Sequence, residues 1–211
     1  MNRPDFAHAA QLATKLLCIQ EDLVFPILEV EEMDFGDKTI FFDTIQHYAQ
    51  LVGVDKMPRT GEGCTIHDRD NDIHIILYDE KRGNYIRHNW TMAHEVGHIF
   101  LEHEDDSEES EVEAHFFASQ LFMPELTIRK LWEIYGQPSP ELISLLFGVS
   151  ITAARKRLST LKRLTTYSMT EADKTVCRMQ WRRIAEYYYC KENGFRYCAD
   201  TDWDIDMAIP V

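Results

Sequence analysis

Residues 91–103 read TMAHEVGHIFLEH and place three histidines, His94, His98 and His103, within ten positions. In an α-helix each residue advances about 100°. His94 and His98, four apart, then lie about 40° from one another on one face, and two imidazoles can address one ion from the same side. Glu95 is offset from both. It need not ligate and can hydrogen-bond a water instead, so the pentad HEVGH reads as two metal ligands plus a general base for metal-assisted hydrolysis. Met92, Ala93, Val96, Ile99, Phe100 and Leu101 make the surrounding helix a buried one, where histidines need partners. His103 is nine residues past His94, about 180° round a continuing helix. It is expected to face away from the ion, as a partner of the helix C-terminal dipole or a surface residue.

A catalytic zinc takes three protein ligands and keeps one position for water, so a further ligand must come from outside this helix. The acidic segment that follows offers Glu108, Glu109, Glu111, Glu113 and His115. Glu113 opens the next apolar helix at the edge of its buried stripe, far enough from His98 for a reversing loop between two packed helices. Glu111, from the same helix start, is the runner-up. The same acids also suit a helix N-terminus on electrostatic grounds alone.

The elements that would position these residues follow from pattern. Phe6, Ala9, Ala10, Ala13, Leu16 and Leu17 recur at helical spacing and predict a first helix over 6–19. LVFPILEVEEM and KTIFFDTIQ read as extended or mixed, punctuated by Pro26 and Gly36, and HYAQLVGV as a short helix ending near Gly53. KMPRTGEGC reads as a loop. DIHIILYD (72–79) predicts a strand of a small antiparallel sheet. The histidine helix is expected from about Asn89 to Leu101, with Thr91 as its cap. An acidic loop, EDDSEESE, then leads to EAHFFASQLF, a buried helix stopped near Pro124. Short helices fill 125–163, with a break at Gly148 and Ser150 as the next N-cap. From about 165 a helix rich in Arg and Tyr precedes a cysteine pair and an acidic end. The fold class expected is α+β: a small antiparallel sheet packed on the metal-binding helices, followed by a helix-turn-helix-like segment. The expected division is 1–124 for the core, 125–164 for that segment and 165–211 for the tail.

Two spaced blocks, RHNWTMAHEVGHIFLEH and SEVEAHFFASQLFMP, resemble the ImmA/IrrE family of zinc metallo-endopeptidases. The resemblance rests on Arg87, Trp90, Thr91, Ala93, His94, Glu95, Gly97 and His98, then on Glu113, Ala114, Phe117, Ala118, Leu121, Met123 and Pro124. FGVSITAARKRLSTL resembles the helical element that follows in the family, so the match runs from about Ile73 to Leu164. It implies that His94, His98 and Glu113 bind Zn²⁺ and that Glu95 is catalytic. It also implies a protein substrate, a transcriptional repressor of mobile elements or stress genes. His115 departs from the family, where an Asn is common. An oxyanion stabiliser is required, and His115 and Arg87 are both candidates.

Bulk properties narrow the setting. At 45% hydrophobic and 27% charged, the 211 residues are ordinary for a globular protein, and no apolar run reaches the length of a membrane span. The N-terminal stretch reads as no secretory signal. The five scattered cysteines fit a reducing cytoplasm rather than a disulfide framework, and the tail pair Cys190 and Cys198 lacks the CxxC spacing of a zinc ribbon. The net charge of −14 is uneven: residues 1–125 hold 9 Lys and Arg against 26 Asp and Glu. That acidic body argues against general nucleic-acid binding. Arg155, Lys156, Arg157, Lys162 and Arg163 would suit a recognition helix, but equally a solvated face packed through Ile151, Ala154, Leu158 and Leu161. DNA is therefore possible but not favoured. The competing function is a non-proteolytic regulator that binds a repressor or DNA through this basic element. Tyr187–Tyr189 reads as packing.

Overall fold

The computed structural model describes residues 4–18, 30–34, 38–53, 62–105, 107–164 and 169–197. Pro26, Gly36, most of the KMPRTGEGC stretch, Cys198 and the acidic end lie outside the described residues. Eight helices and four strands are present among those described. The fold is α+β with a small sheet, as the pattern indicates.

The first helix, α1 (Phe6–Leu17), buries Ala9, Ala10, Ala13, Leu16 and Leu17, the apolar stripe of the sequence. Strands β1 (Glu32–Asp34) and β2 (Thr39–Thr44) precede α2 (Ile45–Val52), which Thr44 caps by accepting from the His47 N–H and which ends at Gly53. Strands β3 (Gly63–Asp68) and β4 (Ile73–Tyr78) form a hairpin. The sheet order is β1-β2-β4-β3. It is mixed, not all antiparallel: β2 and β4 run parallel, with Ile40 opposite His74 and Phe42 opposite Ile76. The reason is connectivity. After α2 the chain runs back as β3 on the outer edge, opposite in direction to β2, and the β3–β4 hairpin then turns it once more, so β4 lies between them parallel to β2. Ile76 and Leu77 of the inner strand β4 and Ile40 of β2 are fully buried.

Helix α3 (Tyr85–Phe100) lies against β3 and β4. It starts seven residues earlier than Thr91 capping would require, because Asn84 is its cap and accepts from the Arg87 N–H at 3.1 Å. Helix α4 (Glu108–Phe122) begins inside the acidic run read as a loop. Four acids in or near its first turn favour the positive end of the helix dipole. Gly97 sets how closely the two helices meet. A Cβ there would stand 3.2 Å from the Ala114 Cα, the Ala114 carbonyl oxygen and Phe117 Cδ1. Two of those atoms are backbone and cannot swing aside. Gly97→Ala gains about 1 kcal/mol of helix propensity against an overpacking cost of about 1–3 kcal/mol. The net is a loss of up to about 2 kcal/mol of stability, and metal affinity, read by competition with a chromophoric chelator, is expected to fall. Unchanged affinity would show that the α3–α4 spacing does not set the site.

The chain divides into two compact units, one of residues 1–13 and 26–118, the other of 14–25 and 119–211. The second holds α5 (Glu125–Tyr135), α6 (Pro140–Phe147), α7 (Ile151–Arg163) and α8 (Glu171–Glu192). Gly148 closes α6 in the left-handed region at φ 61°, and Ser150 caps α7 by accepting from the Ala153 N–H, as the sequence indicates. Ala154, Leu158 and Leu161 of α7 are buried, but Ile151 is 43% exposed, contrary to expectation. Arg157 also corrects the basic-face reading. It is 1% exposed; its Nε donates to the Met123 carbonyl at 3.0 Å and its guanidinium to Gln120 Oε1. It is a core residue held by hydrogen bonds, which leaves four exposed cations on the helix. Thr170 and Asp173 cap α8 reciprocally. No described helix is long and apolar enough to cross a membrane.

Candidate metal centre

α3 turns its apolar side, Met92, Ala93, Val96, Gly97 and Ile99, into the core. His94, Glu95 and His98 fall on the adjoining flank, where the histidine side chains retain 13% and 15% of their exposure. His94 Nε2 and His98 Nε2 stand 3.1 Å apart. The carboxylate of Glu111 on α4 spans the pair, with Oε2 at 3.4 Å from His94 Nε2 and Oε1 at 3.4 Å from His98 Nε2. His115, one turn on from Glu111, stacks obliquely on His94 with ring centroids 4.4 Å apart. His94, Glu111 and His115 each offer a ligand atom within 4.8 Å of the others.

The expected third ligand, Glu113, is placed elsewhere. Its Oε2 lies 3.0 Å from His103 Nε2, and its Oε1 accepts from the Asp5 backbone N–H. Helical rotation explains the difference. Glu111 and His115 are about 40° apart on α4, whereas Glu113 is about 160° from both. The structure thus brings Glu111 to the imidazole pair and sends Glu113 to His103.

His103 does not face away. α3 stops at Phe100, and Glu102 adopts the left-handed region at φ 54°. The Glu102 N–H donates to the Ile99 carbonyl at 3.2 Å and the His103 N–H to the His98 carbonyl at 3.0 Å. These two bonds form a Schellman turn. It swings the His103 ring back, so that its Nδ1 lies 3.0 Å from His98 Nδ1. A chain Glu113–His103–His98 results, and it fixes the His98 ring with Nε2 toward His94 and Glu111.

Glu95 is held from the sheet: Thr65 on β3 donates its hydroxyl to Glu95 Oε2 at 2.7 Å. Sequence reading missed Thr65, since nothing in the spacing ties β3 to α3. Beside it, burial and the Glu95 carboxylate push the Cys64 thiol up to about 11, so with no cation beside it the thiol stays un-ionised at neutral pH. Arg87, the other candidate for the oxyanion, pairs with Glu62 instead. Glu95, His98 and Glu111 line an open cleft of about 900 Å³ that β3 borders with Cys64 and Thr65.

These residues fit a metal ion. Nitrogen and oxygen ligands at 2.0–2.1 Å in a tetrahedral shell lie about 3.3–3.4 Å apart, close to the 3.1, 3.4 and 3.4 Å spacings seen here. His94 Nδ1 is buried without a hydrogen-bond partner, so the ring engages its surroundings through Nε2. Burial first, then the neighbouring His115, His98 and His103, press the His94 pKa down from 6.5 to about 3. Its lone pair is therefore available at neutral pH. The same depression carries a stability cost. Below pH 6.5 the unfolded chain binds a proton at His94 that the folded chain refuses, so stability of the metal-free protein falls as pH drops from 6.5 toward 3. The urea midpoint of metal-free protein is expected to be lower at pH 5.5 than at 7.5, and His94→Gln should shrink that difference. An unchanged difference would contradict the buried neutral imidazole.

A family model described as the IrrE N-terminal-like domain, peptidase family M78, matches residues 54–159, just over half of the chain. No curated protein matches the chain. The matched span contains β3, β4, α3 and α4, and with them every residue of the centre above. With that match added to the paired histidines and facing carboxylate, the chain belongs to peptidase family M78, the ImmA/IrrE metallopeptidases.

Proposed function

We propose that this metallopeptidase is a zinc-dependent endopeptidase in which His94, His98 and Glu111 hold the ion and Glu95 is the general base. The observation that carries the reading is the convergence of His94 Nε2, His98 Nε2 and the Glu111 carboxylate within 3.1–3.4 Å of one another, with Glu95 beside them on α3. Two imidazoles and one carboxylate form a familiar donor set for catalytic zinc. A zinc ion bound there supplies Lewis acidity, polarising a peptide carbonyl and making water a stronger acid. Glu95 accepts the proton of the attacking water and returns it to the leaving amine. Thr65 orients the carboxylate for that exchange. His103 and Glu113 orient His98. To His115, exposed and beside His94, we assign the role of donating to the developing oxyanion.

The substrate is a protein. β3 ends the sheet on the side that borders the cleft, which suits an extended peptide laid alongside a strand edge. From the family resemblance we take the substrate to be a helix-turn-helix repressor, cut at one site. The setting is a reducing cytoplasm, in keeping with the free cysteines Cys18, Cys64, Cys177 and Cys190. The test is to incubate the full chain, zinc-loaded or chelated, with a repressor encoded beside its gene. Single-site cleavage that a chelator abolishes supports the reading. An intact repressor in the presence of zinc-loaded protein, bound or not, favours the non-proteolytic alternative.

A further inference from the structure

His67 and His74 stand directly opposite each other across the β3–β4 hairpin. Their rings stack with centroids 4.0 Å apart and planes 12° from parallel. Asp72, in the left-handed region at φ 50°, turns its side chain back onto them. One oxygen, Asp72 Oδ1, lies 3.0 Å from His67 Nε2 and 3.4 Å from His74 Nε2. The three ligand atoms fall within 4.8 Å of one another and share none with the α3–α4 centre.

His74 is the unusual member. It is only 8% exposed, and its Nδ1 is buried without a hydrogen-bond partner. All of its hydrogen-bonding engagement is therefore at Nε2, toward Asp72. A residue wanted only for packing in β4 would be Val or Ile, as its neighbours are. The cross-strand position holds the two imidazoles at a separation that backbone pairing fixes, so little side-chain order is lost when they share a ligand. The cluster lines the same open cleft as Glu95, leaving room for water on its solvent side.

We infer that His67, Asp72 and His74 form a second divalent-cation site, taking a borderline cation such as Zn²⁺ or Co²⁺ through two imidazole nitrogens and one carboxylate oxygen. The donor set selects this class. Calcium and magnesium prefer all-oxygen shells, whereas imidazole suits zinc and its neighbours.

The test uses the full chain, equilibrium dialysis against Zn²⁺ with elemental analysis, and the visible d–d absorption of the Co²⁺ form. Wild type is expected to bind one more equivalent than His67→Asn. Asp72→Asn, which keeps a residue tolerant of the left-handed backbone, should lose the same equivalent if His67→Asn fails to fold. The difference between wild type and variant reads this site alone. It is one equivalent whether or not His94 and His98 bind metal, so failure of the peptidase reading leaves it intact. Equal stoichiometry in wild type and both variants would overturn the inference and leave a hydrogen-bonded hairpin.

Discussion

Replacing Glu95 with Gln is expected to leave zinc bound between α3 and α4 and to lower the rate of cleavage by about 10²–10⁴-fold, the usual contribution of a positioned general base. That loss corresponds to about 3–5 kcal/mol of transition-state stabilisation. Glutamine keeps the size of the side chain and can still meet the Thr65 hydroxyl, which now donates to Glu95 Oε2. What it cannot do is accept a proton. The two readouts are zinc content by elemental analysis and initial rate on the protein substrate. Retained cleavage by a zinc-loaded Glu95→Gln protein would remove Glu95 from the chemistry. Loss of zinc would make it a ligand instead.

The second large effect separates two acids only two residues apart. Glu111 spans the His94 and His98 nitrogens at 3.4 Å each, while Glu113 engages His103 and the Asp5 N–H. Glu113→Gln should weaken zinc binding by about 10–100-fold, the range seen when a group that orients a ligand is lost. Glu111→Gln removes a donor outright and should weaken it by more than that range. Competition with a chelator of known affinity ranks the two variants. The reverse order, with Glu113→Gln the more damaging, would restore the ligand set that the family resemblance implies.

That pair also shows where sequence reading stops. His94 and His98 could be placed on one face because the helical repeat fixes i and i+4, and the apolar residues between them mark a helix. Choosing between Glu111 and Glu113 needs the rotation of α4 about its axis and its actual start at Glu108, inside a run of acids that reads as a loop. The role of His103 was hidden for a different reason. The turn that returns it uses Glu102 in the left-handed region, where a glycine would have marked the helix end. The parallel pairing of β2 with β4 rests on contacts between segments far apart in the chain, which local pattern does not encode. His67 and His74 could have been found. They lie either side of the polar turn RDND (69–72), and counting outward from it pairs Asp68 with Ile73 and then His67 with His74.

The most direct measurement is zinc-edge anomalous diffraction from crystals of the zinc-loaded full chain. The expected map has a peak bonded by His94 Nε2, His98 Nε2 and the Glu111 carboxylate, with Glu113 still on His103. A peak bonded by Glu113, or none between the two histidines, would contradict the site described here.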